Sequence, residues 1–242
     1  MNIKGILSFL LILIFTSPLL AQTRMQTKDF QVWPNIYLEA KVTKRMNAHI
    51  NQQTRFGNNS SQFQLAYADV GFGYRITKFM LVNLDYVYMR RREFVDKHEE
   101  HQIIGSRHQF YTSVVMKKEM HRYRLTYRGM LQGQFKDVYS SKRGVFPQYY
   151  FRNKLSLRYT LSKYFTPYIA SELYYNFNTK GNNGLSRIRY IAGVFYNLGS
   201  KSAIEFYYLI QQPLRMHANV PLVFVLGIGF SNNISWAGNA NN

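Results

Sequence analysis

The chain has 242 residues, no cysteine, 31 lysines and arginines against 12 acidic residues, and a formal net charge of +19. Absence of cysteine excludes disulfides, thiolate metal sites and lipid attachment through an N-terminal cysteine, so stability rests on strand pairing and side-chain packing. So basic a chain calls for anionic partners.

Residues 1–21 read as a secretory signal: Lys4 supplies the positive start, Ile6 to Phe15 the apolar run, and Leu19-Leu20-Ala21 precedes a cut before Gln22. The apolar run is short for a bilayer-spanning helix of about 20 residues. Residues 22–30 form an N-terminal segment ahead of the first patterned stretch.

From Gln31 to Ile234, apolar and polar side chains alternate in stretches that predict eleven strands, at about 31–42, 46–57, 63–76, 79–92, 105–117, 121–135, 149–161, 166–178, 186–198, 202–212 and 222–234. A strand projects successive side chains to opposite faces. In the sixth stretch Tyr123, Leu125, Tyr127, Leu131 and Phe135 share one face, and Arg122, Arg124, Arg128, Gln132 and Gln134 the other. The expected fold class is all-β, an antiparallel transmembrane barrel of about 10–12 strands over 31–234, followed by a polar tail at 235–242.

A soluble barrel or sandwich would turn its apolar face inward, but above about eight strands a barrel interior is too wide for side chains to fill. Lipid on the outside removes that difficulty, and a closed barrel pairs every backbone group within the bilayer. Short connections follow the odd-numbered strands. Longer ones follow the even-numbered strands, at Asn58 to Gln62, Glu93 to Ile104, Lys136 to Gln148, Thr179 to Leu185 and Pro213 to Pro221. Short turns belong to the periplasm and long loops to the outside. The first strand then starts outside, in conflict with the even strand number of bacterial barrels, so the count stays at ten to twelve. Trp33, Phe79, Tyr139, Tyr149, Tyr150, Tyr164 and Phe165 fall near strand ends, where aromatic girdles sit.

With the apolar face outward, the lumen receives Arg75, Arg107, Arg122, Arg124, Arg128, Arg152, Lys154, Arg158, Arg187 and Arg189, with Glu39, Asp69, Asp85, Glu172 and Glu205 as acidic counter-charges. Isolated charges in a narrow interior are costly, so some of these must pair. The bases exceed the acids, and strands six and seven concentrate the surplus in Arg122, Arg124, Arg128, Arg152, Lys154 and Arg158. Such a wall attracts anions in a water-filled pore and holds carboxylate, sulfate or phosphate groups bidentately. In a closed barrel it would hold ordered water and counter-ions instead.

Other motifs carry less. His98-Glu-Glu-His101 lies in a long polar loop without a third metal ligand, so no metal or cofactor is expected. Ser106-Arg-His108 puts a hydroxyl and an imidazole on one strand face, the basis for a hydrolase reading. Asp85 and Glu172 would need to meet in space to act as an acid and base pair, and salt bridges to luminal arginines are the expected role. Gly71-Phe-Gly73 and Gly227-Ile-Gly229 place glycines on the inward face, where they mark curvature or close approach. Aromatic residues that face away from the bases argue against nucleic acid.

Trp33, Arg55, Gly73-Tyr74, Asp85-Tyr86, Arg107-His-Gln109, Arg122-Tyr-Arg-Leu125 with Arg128, Arg152 with Arg158-Tyr159, Glu172 and Arg187 to Gly193 together resemble the domain of unknown function 2490 family. The resemblance covers nearly all of the chain after the signal. It implies a small outer-membrane barrel of Bacteroidota with no established activity and no catalytic residues. The polar end, Ala237 to Asn242, departs from a terminal aromatic residue, which would leave Phe224 to Phe230 for the insertion machinery to read. The expected function is a narrow, porin-like passive channel in the outer membrane of a Gram-negative bacterium, surrounded by lipid and preferring small anionic solutes. Two alternatives stay open: a closed structural or accessory barrel acting through other outer-membrane proteins, and an outer-membrane hydrolase.

Overall fold

In a computed structural model, which describes residues 27–94, 102–135, 148–177, 183–214 and 220–235, eleven strands close into one barrel. They are β1 (Lys28–Lys41), β2 (Met46–Gly57), β3 (Gln62–Arg75), β4 (Met80–Phe94), β5 (Gln102–Met120), β6 (Tyr123–Phe135), β7 (Gln148–Tyr159), β8 (Phe165–Phe177), β9 (Gly184–Asn197), β10 (Ser202–Pro213) and β11 (Leu222–Ser235). The signal at 1–21, most of the segment 22–30, His98 to His101, Tyr139 and the tail beyond Ser235 lie outside the described residues.

Each strand pairs antiparallel with its neighbours in sequence, and the ring closes where β1 runs parallel to β11, Trp33 beside Gly227. Directions alternate around the ring, so an odd strand count leaves the first and last strands pointing the same way. The parity conflict raised by the sequence is resolved by a parallel seam. The shortest strands have 12 residues. At about 3.3 Å per residue and a tilt of roughly 40°, such a strand covers about 30 Å, the thickness of a bilayer's hydrocarbon core.

The outer face is apolar. Ile50, Val70, Phe72, Leu84, Phe110, Leu155, Ile169 and Leu226 are all exposed, with Leu84 at 66%. A contiguous greasy surface of this extent is costly in water and is what a lipid-facing wall requires. Phe79, Tyr164 and Phe165 are exposed at the short-turn rim, where Phe165 packs with Tyr196. Tyr149 stacks on Phe177 near the other rim.

Three expectations need correction. Trp33 and Tyr150 belong to no girdle: both line the lumen, because Trp33 shares the parity of buried Gln31 and Tyr150 that of Arg152. Arg122 lies exposed in the two-residue turn after β5, one residue ahead of β6 and two ahead of Arg124, where the inward-facing series begins. The β2–β3 connection is as tight as the turns on the opposite rim, with Asn58, Asn59 and Ser60 all at positive φ, a conformation that short polar side chains tolerate best.

The interior is packed as well as polar. Trp33, Tyr168, Ala170, Ile191, Leu209, Val223 and Val225 form a buried cluster on the inner wall of β8 to β11 and β1, joined by Phe195 and Tyr207. Inward glycines make this possible. A Cβ on Gly227 would come 1.9 Å from the Tyr207 ring, so the tyrosine lies flat across a bare backbone.

Candidate functional site

The lumen contains a cavity of about 680 Å³, bounded by β1 to β11 and reaching from the rim of the longer connections down to Asp69, Tyr168 and Glu205. Its basic lining residues are Arg55, Arg91, Arg128, Arg152, Lys154, Arg187 and Arg189; its acidic ones are Asp69, Glu172 and Glu205.

The register explains how these residues meet. β6 and β7 pair so that Arg124 sits opposite Arg158, Arg128 opposite Lys154, and Met130 opposite Arg152. Bases at alternate positions on two adjacent strands therefore form a ladder. On the next strand Lys154 is opposite Glu172, and Glu172 is opposite Arg189 on β9. The inward series of β8, Tyr168, Ala170, Glu172, Tyr174 and Asn176, thus carries one carboxylate into a wall of cations.

Glu172 is 3% exposed and is the hub of the chamber. Its Oε1 accepts hydrogen bonds from Arg128 at 3.0 Å and Arg152 at 2.8 Å. Its Oε2 accepts one from the Tyr174 hydroxyl at 3.0 Å and lies 3.3 Å from Arg189 Nη1. Around this hub Arg152, Arg187 and Arg189 place their guanidinium carbons 4.6, 4.8 and 4.7 Å from the Tyr174 ring centre. Gln132 and Gln211 accept from Arg152 and Arg189 respectively, which fixes the orientation of both side chains.

On the facing wall Trp33 carries Arg55 over its ring at 3.8 Å and Arg189 at 5.4 Å. Trp33 donates its indole N–H to Gln31, and Arg55 donates to Gln53. The aromatic faces hold the guanidinium planes by cation–π attraction while leaving their edges free to donate. Among the described residues, Arg128 Nε and Arg152 Nε are buried and have no acceptor.

The remaining expected luminal residues sit elsewhere along the axis. Arg124 is exposed near the short-turn end and pairs with Glu119 at 2.7 Å. Arg158 stacks over Phe195 at 4.3 Å. Arg107 is half-buried with the inward parity of Gln109, and Arg75 is exposed at the short-turn end of β3. Glu39 accepts from Tyr37 and Asn47, and Glu205 from Tyr168. Asp85 lies 2.7 Å from His49, so Asp85 and Glu172 serve separate partners and form no acid and base pair. Ser106 and His108 bond to different tyrosines, Tyr88 and Tyr86, and Phe110, two positions further along the same parity, is exposed on the outer face. That pairing joins neither to the other as a nucleophile needs.

Trp33, Arg55, Tyr174 and Tyr207 escaped the sequence reading as chamber residues. A usable signal was present for two of them: Trp33 alternates with Gln31, Asn35 and Glu39, and Arg55 with Gln53, Asn51 and His49.

A family model described as "Protein of unknown function (DUF2490)" matches residues 30–219. No curated protein matches the chain. Among solved structures it is similar to outer-membrane expressed OmpT of Vibrio cholerae, at 10% identity and a TM-score of 0.40 over 69% of this chain and 54% of that one. It therefore spans about half the length of the Vibrio protein. It is also similar to the translocator domain of autotransporter NalP from Neisseria meningitidis, at 11% identity and a TM-score of 0.41 over 72% of this chain and 71% of that one. The β domain of the Bordetella autotransporter BrkA gives 11% identity and a TM-score of 0.42 over 76% and 83%.

Proposed function

We propose that this chain, which belongs to the DUF2490 family of proteins of unknown function, is an outer-membrane barrel whose basic luminal chamber admits small anionic solutes along a narrow passive route. The observation that carries the reading is the chamber itself, where seven basic side chains face three acidic ones. Guanidinium forks held by glutamines and aromatic faces favour planar carboxylates, sulfate or phosphate over cations. The ladder on β6 and β7 continues the positive potential toward the short-turn rim through Arg124 and Arg158. Conductance and reversal potential of the refolded barrel under a potassium chloride gradient test it, with an anion-preferring current expected.

A second reading, the closed accessory barrel, is favoured by the packing at mid-height, where Asp85, Ser113, Leu209 and Val225 are at most 3% exposed. The same recording separates the two, because a filled lumen carries no current.

The membrane assignment has its own check. Val70 faces outward in the middle of β3 at 45% exposure. Val70→Arg therefore places a charge against lipid, which costs about 2–4 kcal/mol at the bilayer midplane. Its equilibrium unfolding from lipid vesicles should show that loss of stability. Unchanged stability would mean that β3 does not face hydrocarbon.

A further inference from the structure

We propose that His49, Asp69 and Asp85 form a divalent-cation site of the zinc type in the lumen, at the floor of the chamber. The three residues come from β2, β3 and β4, and the sheet register brings them together. His49 is opposite Gly71, and Gly71 is opposite Asp85. Asp69 lies two positions along β3 from Gly71 and so projects to the same inner face.

Gly71 makes the cradle. A Cβ at this position would fall 1.9 Å from Asp85 Oδ1 and 2.5 Å from His49 Cε1, so the two side chains can meet only over a residue that has none. His49 Nε2 and Asp85 Oδ1 are 2.7 Å apart, and the donor atoms of all three residues lie within 4.8 Å of one another. Ligands held about 2.0–2.2 Å from a tetrahedral zinc ion lie roughly 3.3–3.6 Å apart, so the set must close by about 1–1.5 Å at its widest and open by under about 1 Å between His49 and Asp85 to take the ion.

The second observation is electrostatic. Asp85 is 2% exposed and Asp69 5%; Asp85 Oδ1 meets His49 Nε2, while among the described residues Asp85 Oδ2 and Asp69 Oδ1 have no hydrogen-bond partner. Buried carboxylate oxygens without donors are costly unless a cation meets them. A doubly charged ion balances both carboxylates, and one imidazole with two carboxylates is a donor set zinc accepts. Tyr111 donates its hydroxyl to Asp69 Oδ2, and Tyr37 packs its ring on His49 at 5.6 Å, so the ligands are oriented from outside the set. Asp69 also lines the chamber. The spacing 49, 69, 85 has no sequence signature, because only barrel closure and register join these positions. The expectation of no metal rests on the absence of cysteine and on the His98-Glu-Glu-His101 loop, neither of which bears on these three positions.

The test is zinc binding by the full-length folded barrel, stripped with chelator and titrated with zinc alone. One ion per barrel is expected, with affinity lowered about tenfold or more in His49→Gln and in Asp85→Asn. A barrel carrying His98→Gln and His101→Gln should bind as the wild type does. No stoichiometric binding by the folded wild type overturns the proposal, as does wild-type affinity in either folded ligand variant or loss of binding in the loop variant. Should a ligand variant fail to fold, zinc-edge X-ray absorption of the wild type decides. A nitrogen and oxygen shell with the scattering of one imidazole at about 2.0–2.1 Å supports the site. A shell of oxygen alone, or of two or more imidazoles, refutes it.

Discussion

Glu172→Gln unfolds at lower denaturant concentration than the wild type, by the equivalent of about 3 kcal/mol. Removing one partner of a buried ion pair costs roughly 3–5 kcal/mol, because the charges left behind stay desolvated. Glu172 is 3% exposed, whereas its partners Arg128, Arg152 and Arg189 are 32%, 20% and 8% exposed, so water reaches two of the three and the lower end of that range applies. The amide keeps the size of the side chain and one acceptor oxygen, so the loss reports charge and not a cavity. Glu119→Gln is the comparison: it breaks the pair with Arg124, whose side chains are 66% and 47% exposed, and should change stability by under about 1 kcal/mol. Tryptophan fluorescence during denaturant unfolding from vesicles reads both. Equal stability of Glu172→Gln and wild type would mean that the three arginines are neutralised by something other than this carboxylate.

Replacing Lys154 and Arg187 together by glutamine should remove most of the anion preference of the lumen while leaving the ion pairs of Glu172 intact. Both line the chamber, and neither forms an ion pair with Glu172 within salt-bridge distance among the described residues. A unit charge about 8 Å from a passing anion changes its energy by about 2 kcal/mol at an effective dielectric near 20, before salt screening. Two such charges therefore outweigh the roughly 1.4 kcal/mol that makes a tenfold difference in permeability. Reversal potentials of the double variant should move toward zero, and more at low salt than at high. A double variant as anion-selective as the wild type would place the selectivity element elsewhere. Arg124 and Arg158, at the short-turn end of the ladder, would then be the next residues to test.

Much of the architecture was legible because a strand's side-chain period of two is written directly into its residues. β6 reads as Tyr123, Leu125 and Tyr127 against Arg124, Arg128 and Gln132, and the structure keeps that division. Eleven strands were visible for the same reason, and β2 was placed at 46–57, where the structure has it. The parallel seam was not legible: which strand pairs with which across a ring closure depends on parity over the whole chain, and no local segment records it. Nor was the apolar inner wall. Ile191, Leu209, Val223 and Val225 look like lipid-facing residues in a sequence, since both faces of β9 to β11 carry large apolar groups there.

The chamber was half legible. Its arginines follow from alternation, but Glu172 as the shared partner of three of them follows from register across four strands. Trp33 was drawn to a girdle because tryptophans gather at interfaces, whereas its neighbours Gln31 and Asn35 had already marked its side of the strand as inward. Cation–π pairing then gives an inward tryptophan a partner that lipid could not supply.

The most direct test of the anion-admitting lumen is planar-bilayer recording of the purified, refolded barrel, with conductance and reversal potential read together under a potassium chloride gradient. The arrangement of Arg128, Arg152, Lys154, Arg187 and Arg189 around the chamber predicts a small, reproducible current whose reversal potential lies on the chloride side. Reproducible silence from folded protein, or a current carried by potassium, would contradict it.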